Sequence, residues 1–274
     1  MTIRNILAGA SMLAIGCLIC GAAAQADTIL WVDDASGNIG QVDVTTGNVV
    51  AGSVHNTGLG GNLTDIGFNS SGTLYGTTFT GLYSINTSNG AATSLGAYNV
   101  GNGGMNALVG SGGTSLLAAS VSTNEVYSVN PSSPGSATNY APSPAVSAGD
   151  LAFNATTLYE SGIAGSGNDE LINVNTDSVV GLFSVGGTHL TGVFGLADDG
   201  TTMYAVDGTE VYTVDLANGD LTALFSYAGR GLGSANGTAF IGEGSTAVPE
   251  PASLLLFGTG LGALGLLRRR RNRA

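Results

Sequence analysis

The sequence has no lysine, and its 274 residues include only 7 basic side chains. Arg4 stands near the start and Arg268, Arg269, Arg270, Arg271 and Arg273 stand at the end. Arg230 is the only cation between them. Against it, residues 27–247 carry 18 of the 19 acidic residues, a net of −17. Such a body repels phosphate backbones and anionic headgroups, because binding them takes Lys or Arg to displace counterions. That sign excludes nucleic acid as a partner. Cysteine is confined to Cys17 and Cys20. Once that leading segment is removed, there is no disulfide, thiol nucleophile or Cys-ligated metal. The only histidines are His55 and His189, and no H-x-x-x-H or H-E-x-x-H spacing occurs, so zinc lacks its usual donors.

Glycine is the surplus, at 45 residues, more than twice the ~7% of ordinary chains. Glycine and proline together still fall short of the ~25–30% of a disordered low-complexity chain. Apolar residues recur in short runs, and no body segment keeps a 3.6-residue apolar period. The expectation is a folded, turn-rich β protein.

Both ends differ from the body. Residues 1–26 read as a signal peptide: Arg4, an apolar run from Ile6 to Ile19, then Ala24 and Ala26 at the −3 and −1 positions of a cleavage site. The partner that this implies is the Sec export machinery. Residues 248–274 have three parts. Pro249-Glu250-Pro251 comes first, then an uncharged apolar run from Ala252 to Leu267, then Arg268–Arg271. As a helix the run would be about 24 Å long at ~1.5 Å per residue. That is short for a ~30 Å hydrocarbon core but can span with snorkelling arginines. Arginines beside an apolar span stay cytoplasmic, which puts the body on the far side.

That ordered tail resembles the PEP-CTERM protein-sorting signal, with Pro249, Glu250 and Pro251 matching the recognition residues. The resemblance covers residues 248–274. It implies an exosortase-type sorting protease as partner, export through the inner membrane of a Gram-negative bacterium, and transient anchoring by the apolar helix. It further implies delivery to the cell surface or an extracellular matrix, with exopolysaccharide or envelope components as neighbours.

Residues 27–247 contain an internal repeat. An apolar pair recurs as Leu30-Trp31, Leu74-Tyr75, Leu116-Leu117, Leu158-Tyr159 and Met203-Tyr204. Each pair is followed by a second piece, such as "LYSINTSNG" at 82 or "VYTVDLANG" at 211, closed by Asp43, Asn86, Asn130, Asn175 or Asp215. A third piece, "LTDIGFNSSG", "AGDLAFNAT" or "VFGLADDGT", precedes the pair. Four short strands in ~40–45 residues is the size of a propeller blade. The fold class expected is all-β, a propeller of about five four-stranded blades, and the body is loosely similar to glycine-rich β-propellers. The stretch "GLGSANGTAFIGEG" supplies strands to complete the N-terminal blade. A six-bladed ring and a β-solenoid are the alternatives.

The body offers little chemistry. Ser234 lacks the G-x-S-x-G spacing of a nucleophile elbow, and "GSGGTS" at 110–115 has no lysine and opens no helix. Oxygen-rich loops make Asp33, Asp34, Asp198 and Asp199 candidate metal ligands, with calcium the ion they suit. Asp169-Glu170 is a third acidic pair. None has EF-hand spacing, and adjacent strand residues point to opposite faces, so solvated turn charges are the plainer reading. Periodic aromatics, Trp31, Tyr75, Tyr83, Tyr127, Tyr159, Tyr204 and Tyr212, read as blade-to-blade packing rather than sugar platforms. The expectation is an exported, non-enzymatic structural or adhesive protein with no catalytic residues. A secreted enzyme acting on polysaccharide or ester and a calcium-dependent binding module are the competing readings.

Overall fold

The computed structural model describes residues 28–101 and 104–244. The expected signal peptide and sorting tail lie outside them. Four sheets follow one another, each with four antiparallel strands in chain order. Blade 2 is Asp65–Phe68, Leu74–Thr78, Gly81–Ile85 and Ala92–Ala97. Blade 3 is Met105–Gly110, Leu116–Ser120, Glu125–Val129 and Thr138–Pro142. Blade 4 is Val146–Asn154, Thr157–Ile163, Asp169–Asn173 and Ser178–Leu182. Blade 5 is Val193–Asp198, Met203–Asp207, Glu210–Val214 and Leu221–Ser226.

Blade 1 is built from both ends of the body. Ala235–Ala239 is its inner strand, followed by Ile29–Asp34, Asn38–Asp43 and the short Asn48–Val49, with His55–Asn56 also paired to the third strand. Trp31 pairs with Ala239, Val32 with Thr238 and Asp33 with Gly237. This closure makes five blades; the extra strands complete blade 1 instead of forming a sixth. The inner strands contact one another in ring order.

The repeated apolar pair explains the ring. Successive strand residues face opposite sides of a sheet, so each pair serves two neighbours. Leu74 packs with Trp31, Ile66 and Phe68 between blades 1 and 2, while Tyr75 packs with Met105 and Leu108 between blades 2 and 3. Leu117 and Leu158 meet between blades 3 and 4, Tyr159 and Met203 between blades 4 and 5, and Tyr204 and Leu30 between blades 5 and 1. Trp31 meets Phe68 edge-on with centroids 5.7 Å apart. Each interface buries apolar side chains, at about 25 cal/mol per Å² of apolar surface removed from water. No blade covers both of its own faces, so the five stand together.

The turns follow the polar residues that close the third strands. Asp43, Asn86, Asn130 and Asp215 each accept the N–H two residues on, from Thr45, Ser88, Ser132 and Ala217. Gly90, at φ +78°, takes a left-handed position that most side chains avoid. Blade 4 departs from the pattern. Its "NVNTDS" has no glycine, Asp177 takes the left-handed position at φ +50°, and Asn173 caps the 3₁₀ turn Val174–Thr176. Asn175, the repeat-equivalent residue, instead accepts from Leu158 N at 2.7 Å.

Candidate functional site

The axis is where all five blades meet. Each inner strand has one edge turned toward the axis, and its N–H groups there need partners once buried. Two aspartates supply them. Asp65 Oδ1 accepts from Ile66 N at 2.6 Å, and its Oδ2 accepts from Leu108 N at 2.5 Å. Asp150 Oδ1 accepts from Leu151 N at 2.7 Å. Its Oδ2 accepts from Leu196 N at 2.7 Å and from Thr238 N and Oγ1, both at 3.0 Å. Those N–H groups belong to blades 2, 3, 4, 5 and 1, one from each. Strand pairing puts Asp65, Ala107, Gly195 and Gly237 at one level of the ring, and Asp150, in the irregularity just before Leu151, joins them through its bonds to Leu196 and Thr238. Two carboxyls fill that level and three small residues admit them. A Cβ on Gly237 would overlap Asp65 Oδ1.

Asp65 and Asp150 are also hydrogen-bonded to each other, which two carboxyls achieve only by sharing a proton. The two carboxyls titrate as a pair, and the retained proton belongs to the pair. Burial pushes both carboxyls well above the usual aspartate range, and for Asp65 the neighbouring charges of Asp150 and Asp33 add to it. Asp33 is fully buried beside them, neither oxygen has a hydrogen-bond partner, and burial followed by Asp150 and Asp34 raises it strongly. A carboxyl so placed is held neutral. Glu243 extends the cluster, accepting from Asp198 N at 3.0 Å and Phe240 N at 3.2 Å, and is raised chiefly by burial. The axis is thus a polar plug tying strands together.

The residues singled out from sequence fall in separate places. His55 lies in the connection from blade 1 to blade 2, and His189 in the hairpin Ser184–Val185/Thr188–His189 between blades 4 and 5. These connections are not neighbours around the ring. Ser234 is exposed just before the last strand. Asp34 accepts from Ser36 N, Asn38 N, Asn38 Nδ2 and Gly233 N. Asp198 accepts from Asn154 Nδ2 and Gly200 N. Asp199 accepts from Thr201, Thr202 and Tyr204 OH. Burial, then Asp199, pushes the Tyr204 phenol up to about 12. Asp169 Oδ2 accepts from Gly192 N and Val193 N. These carboxylates fasten turns. Among the described residues no group of three or more His, Asp or Glu is placed to hold a metal ion.

Two further features were not singled out from sequence. Glu160 is buried in blade 4, accepts from Ser143 Oγ at 2.7 Å, and burial pushes it up to about 8. A cleft of about 340 Å³ opens between blades 3 and 4, lined by Ser111, Ser115, Ser128, Tyr140, Phe153 and Thr156 among others. It offers hydroxyls and aromatic faces and no carboxylate, histidine or cation.

Comparison with known proteins gives one informative match. Residues 247–271 match the PEP-CTERM protein-sorting motif. The chain therefore carries the label of an exported exosortase substrate on a five-bladed propeller body. Solved structures with similar folds include a protein of unknown function from Bacteroides caccae, at 11% identity and TM-score 0.47, covering 77% of this chain and 97% of that one. The nidogen/laminin complex is similar at 10% identity and TM-score 0.49, with 78% and 98% covered. Myxococcus xanthus glutaminyl cyclase is similar at 13% identity and TM-score 0.44, with 65% and 70% covered. No curated protein matches.

Proposed function

We propose that the protein is a non-enzymatic component of the cell surface or extracellular matrix, delivered by its sorting tail and acting as a structural or adhesive module. The sorting motif at 247–271 carries this reading. The body supports it: the axial carboxyls Asp65, Asp150 and Glu243 are spent on backbone N–H groups, and its histidines stand in separate blade connections. The cleft between blades 3 and 4 suits a neutral, hydroxyl-rich polymer such as a polysaccharide, because aromatic faces and hydroxyls recognise sugars without charge. No cofactor is needed.

The test is deletion of residues 248–274 from a body-tagged chain in its natural host. The truncated protein is expected to change its final location, and the intact chain to lose mass on maturation by cleavage near Ala26 and in the tail. Unchanged location and mass in both would remove the sorting reading. Hydrolysis of polysaccharide or ester by the purified body would remove the non-enzymatic one.

A further inference from the structure

Blade 1 has no hairpin between its first and second strands. In the other blades that hairpin is the turn at 69–73, 111–115, 155–156 or 199–202. In blade 1 the same place is occupied by the two ends of the body. Thr28 precedes the second strand and Phe240–Gly244 follows the inner one. Both ends therefore leave from one face of the ring. The exit is fixed next to the axis: Glu243 is held by Asp198 N and Phe240 N, and a Cβ on Gly244 would overlap Gly110 O.

From Gly244 only residues 245–251 precede the apolar run that begins at Ala252. Eight residue steps span at most about 26–29 Å at ~3.3–3.6 Å each. To put the opposite face toward the bilayer, this tether would have to cross four strands at ~4.8 Å spacing and descend a strand of ~17 Å. That route exceeds ~30 Å before the headgroup layer, several ångströms thick, is crossed. The tether cannot make it.

The exit face offers lipid little to hold: Ile241 is exposed beside the exit, but acidic turns surround it. Its turns carry Asp43, Asp177, Asp199, Asp215 and Asp220. Arg230, the only cation among the described residues, is engaged by Gly47 O and Asn48 Oδ1. Carboxylates within a Debye length of ~10 Å of anionic headgroups are repelled.

We infer that, until the tail is cut, the propeller is held with its exit face toward the membrane, and that cutting the tail suffices to release it. The opposite face carries the connections with His55 and His189 and the exposed Phe79 and Phe194. It is the face offered outward while the protein is anchored; the cleft between blades 3 and 4, lined by exit-face turns and Gly244, is freed by the cut. This rests on the sorting reading of the tail.

The experiment uses the mature chain with its tail uncut, residues 27–274, which contains no cysteine, reconstituted into phosphatidylethanolamine/phosphatidylglycerol vesicles. Single nitroxide labels are attached through Ser71→Cys or Thr201→Cys on the exit face and Ser122→Cys or Ser166→Cys on the opposite face. All four positions are exposed. Relaxation by nickel-chelate headgroup lipids is expected to be severalfold stronger at the exit-face labels. Inserting twenty Gly/Ser residues after Gly244 should abolish the difference. Equal relaxation of both faces, or a difference that survives the insertion, overturns the orientation. Retention of the body on vesicles at low salt after proteolysis of the tail overturns release by cutting. A chain that never associates with vesicles overturns the tail reading itself, a failure distinct from the others.

Discussion

Asp150 and Asp43 are both aspartates that accept backbone N–H bonds, yet they do opposite work. Asp150 is fully buried at the axis and joins strands from blades 4, 5 and 1. Asp43 lies in a hairpin turn and accepts from Thr45, through N at 2.8 Å and Oγ1 at 2.6 Å. Burial holds the first carboxyl well above the usual aspartate range, while the Thr45 hydroxyl and N–H hold the second below it. A residue that closes a turn serves one hairpin. A residue that fills the axis serves the ring. The acidity of this body therefore has two parts, one that keeps it soluble and one that keeps it closed.

The largest effect should come from Asp150→Ala. It strands the N–H groups of Leu151, Leu196 and Thr238, and each unsatisfied buried group costs about 1–3 kcal/mol. The total is a large share of the ~5–15 kcal/mol that holds a typical domain folded. Urea unfolding of the purified body should show loss of most of its stability or no folded protein. A midpoint close to wild type would mean that the axis is not the point of closure.

Asp65→Asn separates the proton from the hydrogen bonds. The amide can donate to Asp150 and accept one N–H, but it does not titrate. In the native protein Asp33, Asp65, Asp150 and Glu243 are all raised by burial. Between the unfolded pKa of ~3.9 and the raised folded value, the native state binds more protons than the unfolded one. Stability is then greatest in mild acid and declines as pH rises. Glu160, at about 8, extends the decline toward that pH. Thermal unfolding followed from pH 4.5 to 8 should show falling stability. Asp65→Asn should flatten the slope, with Asp33, Asp150, Glu160 and Glu243 supplying what remains. An unchanged slope would show that the Asp65–Asp150 proton does not set it.

The blade architecture was legible because it is written at a fixed period. Leu74-Tyr75 and its equivalents recur every 42–45 residues, since each blade must meet two neighbours in the same way. The closing of blade 1 was legible because "SANGTAF" resembles an opening strand. The axial carboxyls were not legible as a site. Asp65 and Asp150 lie inside "LTDIGF" and "AGDLAF", which read as strand repeats, and only the ring brings residues 85 positions apart into contact. A trace was present: glycine stands at the same level in "FGLAD" and "NGTAF", where blades 5 and 1 leave room for carboxyls from elsewhere. Asp33 read as half of an exposed acidic pair because two adjacent acids normally imply solvent; closure of the ring buries it near Asp65 and Asp150. Asn175 kept the repeat spacing, but the turn after it lacks glycine, so the capping role moved to Asn173.

The smallest effect belongs to Asp43→Ala. It removes the bonds from Thr45, but the backbone bonds of Thr46 N and Gly47 N to Asp43 O do not need the side chain, and Gly47 still supplies φ +68°. It also removes one negative charge from a body of net −17, which relieves a little self-repulsion. The thermal midpoint near pH 7 should therefore move by no more than about 1–2 °C, the usual scale for an exposed site in a domain of this size. The sign of the pH dependence is the sharper readout. Because Asp43 is lowered in the folded state, its contribution is present above the unfolded pKa and is lost as pH falls through the folded one. Asp43→Ala should then matter least below about pH 3.5 and leave the decline between pH 4.5 and 8 untouched. If it changed that decline, turn and axis would be coupled, and the two populations of carboxylates would have to be treated as one.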